Sequence, residues 1–521
     1  VNITLAAKTM QDLVDHGVTT FCICAGARNS PFVVLAAAAK GVSTYHFFDE
    51  RSASFFALGK IQSEGRPVAV ITTSGTAVAE LLPAVVEASY TQLPLVLVTA
   101  DRPQRFRGTG APQTIEQPGI FSKYVEQSLD LASTTDSNGL QAWSQTQPLH
   151  LNVCFDEPLI DEVVSALQFS SKPLAKSMTK SKADSFEKPM GLTSKTKMQQ
   201  PLAIVSGLSD CHRSLVIQTL LRLKIPVYAE ALSGLRGCQE IAPLLLKGGE
   251  KSVQQTFTSG QAQSVLRIGG VPTLRFWRDL EDQFSQLPVY SISDGEWTGL
   301  SRPVDHKVGF SYLETLIAEG PSPLQNILQQ DRLLHEKIQA LLKKYPRSEL
   351  ALMKDLSDKL VDQSVYLGNS MPIREWDLVA STEKAPRRLS GNRGVNGIDG
   401  QISTFLGWSQ SGTENWAVIG DLTAMYDLSS LWITRALQVS KKRIVVINNG
   451  GGQIFKNIFH NEAFLNRHEI RFEKWAEMFN WDYCAWKSIP ASVADLPDHV
   501  ILEIFPEESE TDQFWKEYQS L

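Results

Sequence analysis

The sequence predicts an α/β protein of three domains, each a parallel sheet flanked by helices, and three observations carry that expectation. At 521 residues the chain is too long for one ordinary core. Apolar runs of strand length alternate with helix-length stretches in three separate blocks. A segment near 170–200, rich in Lys, Ser and Thr and poor in apolar periodicity, separates the first block from the rest.

The first block has apolar runs at 19–25, 44–48, 68–72, 95–99 and 149–155, with a helix-length stretch at 76–91. Strands joined by helices run parallel, because the crossover returns each strand to the same edge. This defines a domain at 1–170 and a linker at 171–200. Runs at 202–205, 225–229, 265–268 and 289–292 define a second domain, 201–345. A charged helical region at 323–360 leads into a third, 346–521, with runs at 364–367, 416–419, 443–447 and 500–504.

Composition narrows the function. Apolar residues make up 43% and charged residues 20%, as in ordinary globular proteins. A net charge of -6 with mixed signs offers no basic field for a nucleic-acid backbone. The six cysteines form no CxxC pair, and Cys22 and Cys24 fall in an apolar run where buried structural thiols are expected. The longest apolar runs, such as 94–100, are far short of a bilayer span, and no signal-peptide pattern is found. A cytoplasmic protein without an integral membrane segment is expected. Walker A, GxGxxG with its downstream acid, and HExxH are all missing, so ATPase, dehydrogenase and zinc-protease chemistry lack an anchor.

In open parallel sheets, ligands bind beyond the carboxyl ends of the strands. After the run 416–419 come Gly420, Asp421 and Leu422; after 443–447 come Asn448, Asn449, Gly450, Gly451, Gly452 and Gln453. Asp421 and Asn449 are 28 residues apart, the length of one crossover, so both should emerge at the same edge. A carboxylate and an amide oxygen there suit a hard cation such as Mg²⁺, with Mn²⁺ as an alternative, and the Gly451 carbonyl is a third candidate ligand. The glycines permit close approach of a diphosphate. Taken alone, Asp421 would read as a helix cap; the paired spacing favours the metal.

This arrangement resembles the cofactor-anchoring motif of thiamine-diphosphate enzymes, with Leu422 where that motif usually has Gly. Such enzymes also need a carboxyl in apolar surroundings to exchange a proton with the aminopyrimidine. Glu50 is the candidate, flanked by Phe47, Phe48, Phe55 and Phe56 where a strand gives way to a helix. By itself it would pass for a helix-opening acid favoured by the dipole.

Longer segments resemble one family, the 2-succinyl-5-enolpyruvyl-6-hydroxy-3-cyclohexene-1-carboxylate synthases of menaquinone biosynthesis. They are AGARNSP at 25–31, FDER at 48–51, TTSGTA at 72–77, TADRP at 99–103, GAPQ at 110–113, GNSMPIR at 368–374, NRGVNGIDG at 392–400 and 448–455. The resemblance implies the thiamine-diphosphate-binding fold. It also implies decarboxylation of 2-oxoglutarate and 1,4-addition of the succinyl unit to isochorismate. Glu50 would activate the cofactor, while Asp421, Asn449 and Gly451 would bind the metal. Thr76, Ile398, Gln453, Ile454 and Phe455 would line the cofactor pocket, with Ile398 supporting its bent conformation.

The same resemblance turns Arg28, Arg102, Gln113, Asn369, Ser370, Arg374 and Arg393 toward the substrates, with Arg28, Gln113 and Ser370 assisting the reaction. Four arginines suit two dicarboxylates, since a guanidinium pairs a carboxylate bidentately. Arg275 and Arg278 keep an ordinary surface reading. Ala27 stands where the family usually has Ser. A homo-oligomer, dimer or tetramer, with active sites shared between subunits is implied. The rival readings are another thiamine-diphosphate 2-oxoacid decarboxylase or acetohydroxyacid-synthase-like carboligase, and a non-catalytic scaffold of the same fold.

Overall fold

A computed structural model describes residues 1–164, 167–170, 195–437, 440–459 and 461–521. Most of the predicted linker, 171–194, lies outside the described residues. The chain forms two compact bodies. One comprises Val1–Thr179, Asn392–Gly412 and Thr423–Ser440; the other comprises Lys180–Gly391, Thr413–Leu422 and Lys441–Leu521.

The first body holds a six-stranded parallel sheet in the order Ser43–Phe47, Thr20–Cys24, Val68–Thr72, Leu95–Asp101, Leu149–Cys154, Gln127–Leu131. Its inner strands are buried at every residue; Thr20–Cys24, Val68–Thr72 and Leu95–Asp101 are largely apolar for that reason, while Leu149–Cys154 also buries His150 and Asn152, each hydrogen-bonded. Phe21, Phe32, Val96, Val98, Leu151 and Phe155 belong to its core. Cys22 and Cys24 are buried, and burial raises both thiols, as suits structural rather than reactive cysteines.

The helix Glu50–Glu64 starts at Asp49, whose side chain accepts from Ser52 N at 2.9 Å, and ends at Gly65 in the left-handed conformation. It lies backbone to backbone against the helix Gln401–Trp408. A Cβ at Gly59 would stand 2.0 Å from Thr404 O, and one at Gly407 would stand 2.1 Å from Phe56 O. Only glycine permits that approach. Ser52 and Ser403 share a 2.9 Å hydrogen bond across the pair.

The second body contains two large parallel sheets and a two-stranded parallel pair, Leu316–Glu319 with Thr196–Gln199. A five-stranded sheet runs Val227–Ala229, Pro201–Val205, Ser264–Ile268, Val289–Ile292, His306–Val308. A six-stranded sheet runs Arg388–Ser390, Ser364–Leu367, Glu414–Gly420, Lys441–Ile447, His499–Ile504, Asp482–Trp486. Val365, Trp416, Val418, Val445 and Leu502 lie in the core around the latter.

Two helical expectations are refined. The stretch 76–91 is two helices, Thr76–Ala79 and Leu82–Thr91, the second with Pro83 in its first turn. The region 323–360 is Leu324–Lys344 and Glu349–Lys359, parted around Pro346, which a helix interior would not tolerate. No helix among the described residues is long and apolar enough to cross a membrane.

Candidate active site

The strands Glu414–Gly420 and Lys441–Ile447 are direct parallel neighbours, with Gly420 opposite Ile447. The loops that follow therefore leave the same sheet edge, as the spacing of Asp421 and Asn449 predicts. Asp421 is 2% exposed, and its Oδ2 accepts from Gly451 N at 3.0 Å. Its Oδ1 accepts from Leu422 N at 2.6 Å. Leu422 is not among the residues with positive φ, so this position does not demand the usual glycine. Gly451 does: its φ is 133°, and a Cβ would meet Leu465 O at 2.3 Å. Burial raises the Asp421 carboxyl, offset by His468, whose Nε2 lies 3.3 Å from Oδ2.

Asn449 donates through Nδ2 to Glu349 Oε2 at 2.9 Å, and its buried Oδ1 has no hydrogen-bond partner among the described residues. The Gly451 carbonyl accepts from Gln453 N at 2.9 Å, and a carbonyl has a second lone pair to offer. A carboxylate, an orphaned amide oxygen and a main-chain carbonyl on adjoining loops fit a hard cation. Gln453 Nε2 donates to the Asn449 carbonyl at 3.1 Å. A cavity of about 240 Å³ opens beside these groups, lined in part by Glu349, Met371, Asn449, Gln453, Ile454 and Trp515. Phe455 is 39% exposed and packs near Phe459, with ring centroids 5.9 Å apart.

Behind Asn449 stands an acidic pair that the sequence reading did not single out. Glu349 is 2% exposed and Glu375 is 0% exposed. Burial raises Glu375, and the adjacent Glu349 carboxyl raises it further. Burial likewise raises Glu349, while the Asn449 hydrogen bond works against the shift. In the sequence both acids lie among many charges on helices, with nothing to mark them as buried.

In the same body, Asn369 is fully buried where the strand Ser364–Leu367 ends. Ser370 follows at φ 71° and ψ -127° and caps the helix Met371–Val379. Its carbonyl accepts from the exposed Arg374 Nη1 at 2.8 Å. A non-glycine residue held at positive φ is a costly conformation that concentrates at functional positions.

The first body carries Glu50, half-buried at the start of its helix. Burial raises its carboxyl, its own backbone N–H opposes that, and Asp49 and Glu80 add to the rise. The environment expected of a proton-exchanging acid is thus present. Arg28 is 7% exposed, donates to Phe155 O at 3.1 Å and lies 3.3 Å from Glu157. Burial lowers its guanidinium, and so does the neighbouring Arg102, so these two arginines form one cationic locus. Arg102 Nη2 reaches Pro112 O at 3.4 Å. Gln113, at φ 59°, donates to Ser74 O at 3.0 Å and packs over Gly75. Gly75 N in turn donates to Gln117 Oε1 at 3.1 Å, just before the exposed Thr76. Ala27 is exposed, and its carbonyl accepts from Ser30 N, so the turn forms without a hydroxyl there.

Also in the first body, the 392–400 segment is pinned by Glu87, which was missed. Glu87 is 2% exposed and accepts from Gly394 N at 2.8 Å and Val395 N at 2.9 Å. A Cβ at Gly400 would overlap the Phe55 ring at 2.0 Å. These contacts explain the glycines of the motif and fix Arg393 and the half-buried Ile398 in place. Glu50, Thr76, Arg28, Arg102, Gln113, Arg393 and Ile398 thus belong to one body, while Asp421, Asn449, Gly451, Gln453, Ile454, Phe455, Asn369, Ser370 and Arg374 belong to the other.

Parallel sheets with an acid, an amide and a glycine loop at one edge, and a second body carrying a half-buried acid raised by burial, describe the thiamine-diphosphate class. Residues 3–120 match the family model for the thiamine pyrophosphate enzyme, N-terminal TPP binding domain. Three bacterial relatives are each named 2-succinyl-5-enolpyruvyl-6-hydroxy-3-cyclohexene-1-carboxylate synthase. The Bdellovibrio bacteriovorus protein is 48% identical over 100% of this chain and 99% of its own. That of Akkermansia muciniphila is 36% identical over 95% of each, and that of Chloroflexus aurantiacus 35% over 86% and 82%. The chain belongs to this synthase family.

Proposed function

We propose that the chain catalyses the thiamine-diphosphate-dependent decarboxylation of 2-oxoglutarate and the 1,4-addition of the succinyl unit to isochorismate. The observation that carries this reading is the 48% identity to a synthase of that name over the whole chain. Glu50, Asp421 and Asn449 in their expected settings support catalysis over a non-catalytic scaffold. The arginine set supports dicarboxylates over pyruvate.

Thiamine diphosphate, when bound, supplies the electron sink that the decarboxylation of a 2-oxoacid needs. With thiamine diphosphate bound, Glu50 would be the group that exchanges a proton with the aminopyrimidine ring. Asp421 Oδ, Asn449 Oδ1 and the Gly451 carbonyl would hold Mg²⁺, or Mn²⁺ in its place, which would neutralise the charge of the cofactor's diphosphate. Ile398, Gln453, Ile454, Phe455 and Thr76 shape the cofactor pocket. Arg28 and Arg102 pair with a substrate carboxylate, and Arg374 and Arg393 supply further carboxylate contacts. Gln113, Asn369 and Ser370 orient the acceptor, Gln113 and Ser370 from strained backbone that fixes their direction.

The three larger sheets support a division into domains at 1–170, 201–345 and 346–521. The assembly is a homo-oligomer, dimer or tetramer, whose active sites take Glu50 from one subunit and Asp421 from another. Exposed apolar side chains support an interface on each body: Phe48 and Tyr426 on one, and Ile458, Phe459 and Phe464 on the other, all at least 44% exposed.

Substrate choice tests the reading. 2-Oxoglutarate with isochorismate should turn over, and pyruvate should not replace 2-oxoglutarate. Arg374→Ala and Arg393→Ala should each raise the KM for the dicarboxylate by roughly tenfold or more, the loss of one charge-assisted contact. Thiamine-diphosphate affinity should stay as in the wild type. Loss of cofactor affinity with an unchanged KM would remove these arginines from the substrate site.

A further inference from the structure

We propose that Glu349 is a positioning residue for the cation site: it holds the Asn449 side chain so that the amide oxygen, and not the nitrogen, is left for the metal. The inference rests on the assignment of Asp421, Asn449 and Gly451 as the metal site.

An asparagine amide is nearly symmetric in shape, and a half-turn about its terminal bond exchanges oxygen for nitrogen. Presented to a divalent cation, the nitrogen would bring two N–H dipoles pointing the wrong way. Something must choose. Here the choice falls to Glu349, whose Oε2 accepts from Asn449 Nδ2 at 2.9 Å. The opposite atom, Oδ1, is buried with no hydrogen-bond partner among the described residues. A buried amide oxygen left without a donor is costly unless a ligand takes it.

The surroundings of Glu349 carry the same message. Its own Oε1 and both oxygens of Glu375 are also buried, and among the described residues these atoms have only each other as hydrogen-bond partners, which requires a proton between the two carboxyls. The charged groups that act on Glu349 are Asp421 and Glu375, both acidic. Burying three carboxyls together is unfavourable while they are ionised; burial and their mutual hydrogen bond favour the protonated form of the glutamate pair, and His468 faces Asp421. A divalent cation taken up by Asp421 and Asn449 Oδ1 would add positive charge to this acidic cluster. Glu349 also opens the helix Glu349–Lys359, a position where an acid usually faces solvent, yet it is 2% exposed. Helix-dipole stabilisation explains an acid there; it does not explain burying it against Asn449.

The test titrates Mn²⁺ onto the full chain at a fixed excess of thiamine diphosphate, following free Mn²⁺ by electron paramagnetic resonance. Glu349→Met keeps the length of the side chain and removes the acceptor. It should weaken Mn²⁺ binding about tenfold or more, the usual cost of losing a partner that orients a ligand. Glu349→Gln can still accept from Asn449 through its own carbonyl and should bind Mn²⁺ within about threefold of wild type. A loss of stability alone would not separate these two variants in this way. Should Glu349→Met not fold, Glu349→Asp, which draws the carboxylate back by one methylene, should show the weakened binding. That deficit should vanish in an Asn449→Ala background, where no amide is left to orient.

Mn²⁺ binding by Glu349→Met equal to that of wild type would overturn the proposal, as would a loss in Glu349→Gln as large as in Glu349→Met. Asp421→Ala in the same titration separates the two assignments. If Asp421→Ala loses Mn²⁺ and Glu349→Met does not, only the role of Glu349 fails. If Asp421→Ala binds Mn²⁺ normally, the metal site itself is misplaced and the role of Glu349 falls with it.

Discussion

Asp421→Ala is expected to abolish Mg²⁺-dependent binding of thiamine diphosphate while leaving the protein folded. Asp421 is the one carboxylate among the three proposed ligands, and it accepts the Gly451 N–H that ties the glycine loop to the neighbouring strand end. Losing a charged ligand removes about 3 kcal/mol or more, over a hundredfold in affinity. The apo fold should tolerate the change. Asp421 lies at a sheet edge, and the cores around Trp416 and Val445 do not depend on it. Isothermal titration with thiamine diphosphate, with and without Mg²⁺, together with a melting curve, checks both halves. Unchanged affinity with Mg²⁺ present would refute the metal assignment.

A second large effect is expected from mixing two inactive proteins. Glu50→Gln removes the proposed proton-exchanging acid from one body, and Asp421→Ala removes the proposed metal ligand from the other. If each site takes Glu50 from one subunit and Asp421 from another, a heterodimer has one site with both lesions and one with neither. Random pairing of equal amounts makes half the dimers mixed, so activity should recover to about a quarter of wild type per site. If one chain supplied both residues, every site would carry a lesion, and the mixture would stay as inactive as its parents. Subunit exchange is verified with differently tagged chains. Exchange without recovery would end the shared-site proposal.

What could be read from the sequence, and what could not, follows from burial. Strands covered on both faces are largely apolar, so 68–72, 95–99, 443–447 and 500–504 were legible as strands even though the last two bury Arg443 and Glu503. Eight strands among the described residues went unseen: Gln127–Leu131, His306–Val308, Arg388–Ser390 and Asp482–Trp486, and the short Ala39–Lys40, Leu167–Gln168, Thr196–Gln199 and Leu316–Glu319. Each is the last strand at an edge of its sheet. An edge strand is held by main-chain hydrogen bonds on one side and faces solvent on the other, so polar sequences such as QSLDL or RLS are tolerated.

The site divides in the same way. Asp421 and Asn449 were legible because a regular crossover fixes the distance between neighbouring strand ends. Glu87, Glu349, Glu375, Gln117 and His468 were not, because their partners lie far away in the chain: Glu87 meets Gly394, and Glu349 meets Asn449. The glycines at 394, 400 and 451 were visible as a motif. Their reason emerged only with Glu87, the Phe55 ring and the Leu465 carbonyl in place.

The decisive measurement is CO₂ release from 2-oxoglutarate by the full chain with thiamine diphosphate and Mg²⁺, with and without isochorismate. Release should rise when isochorismate is added, with one CO₂ formed for each isochorismate consumed, because the decarboxylated unit is carried into the product. Pyruvate in place of 2-oxoglutarate should give no such coupled release. Coupled turnover of pyruvate, or no isochorismate-dependent CO₂ from 2-oxoglutarate, would contradict the assignment.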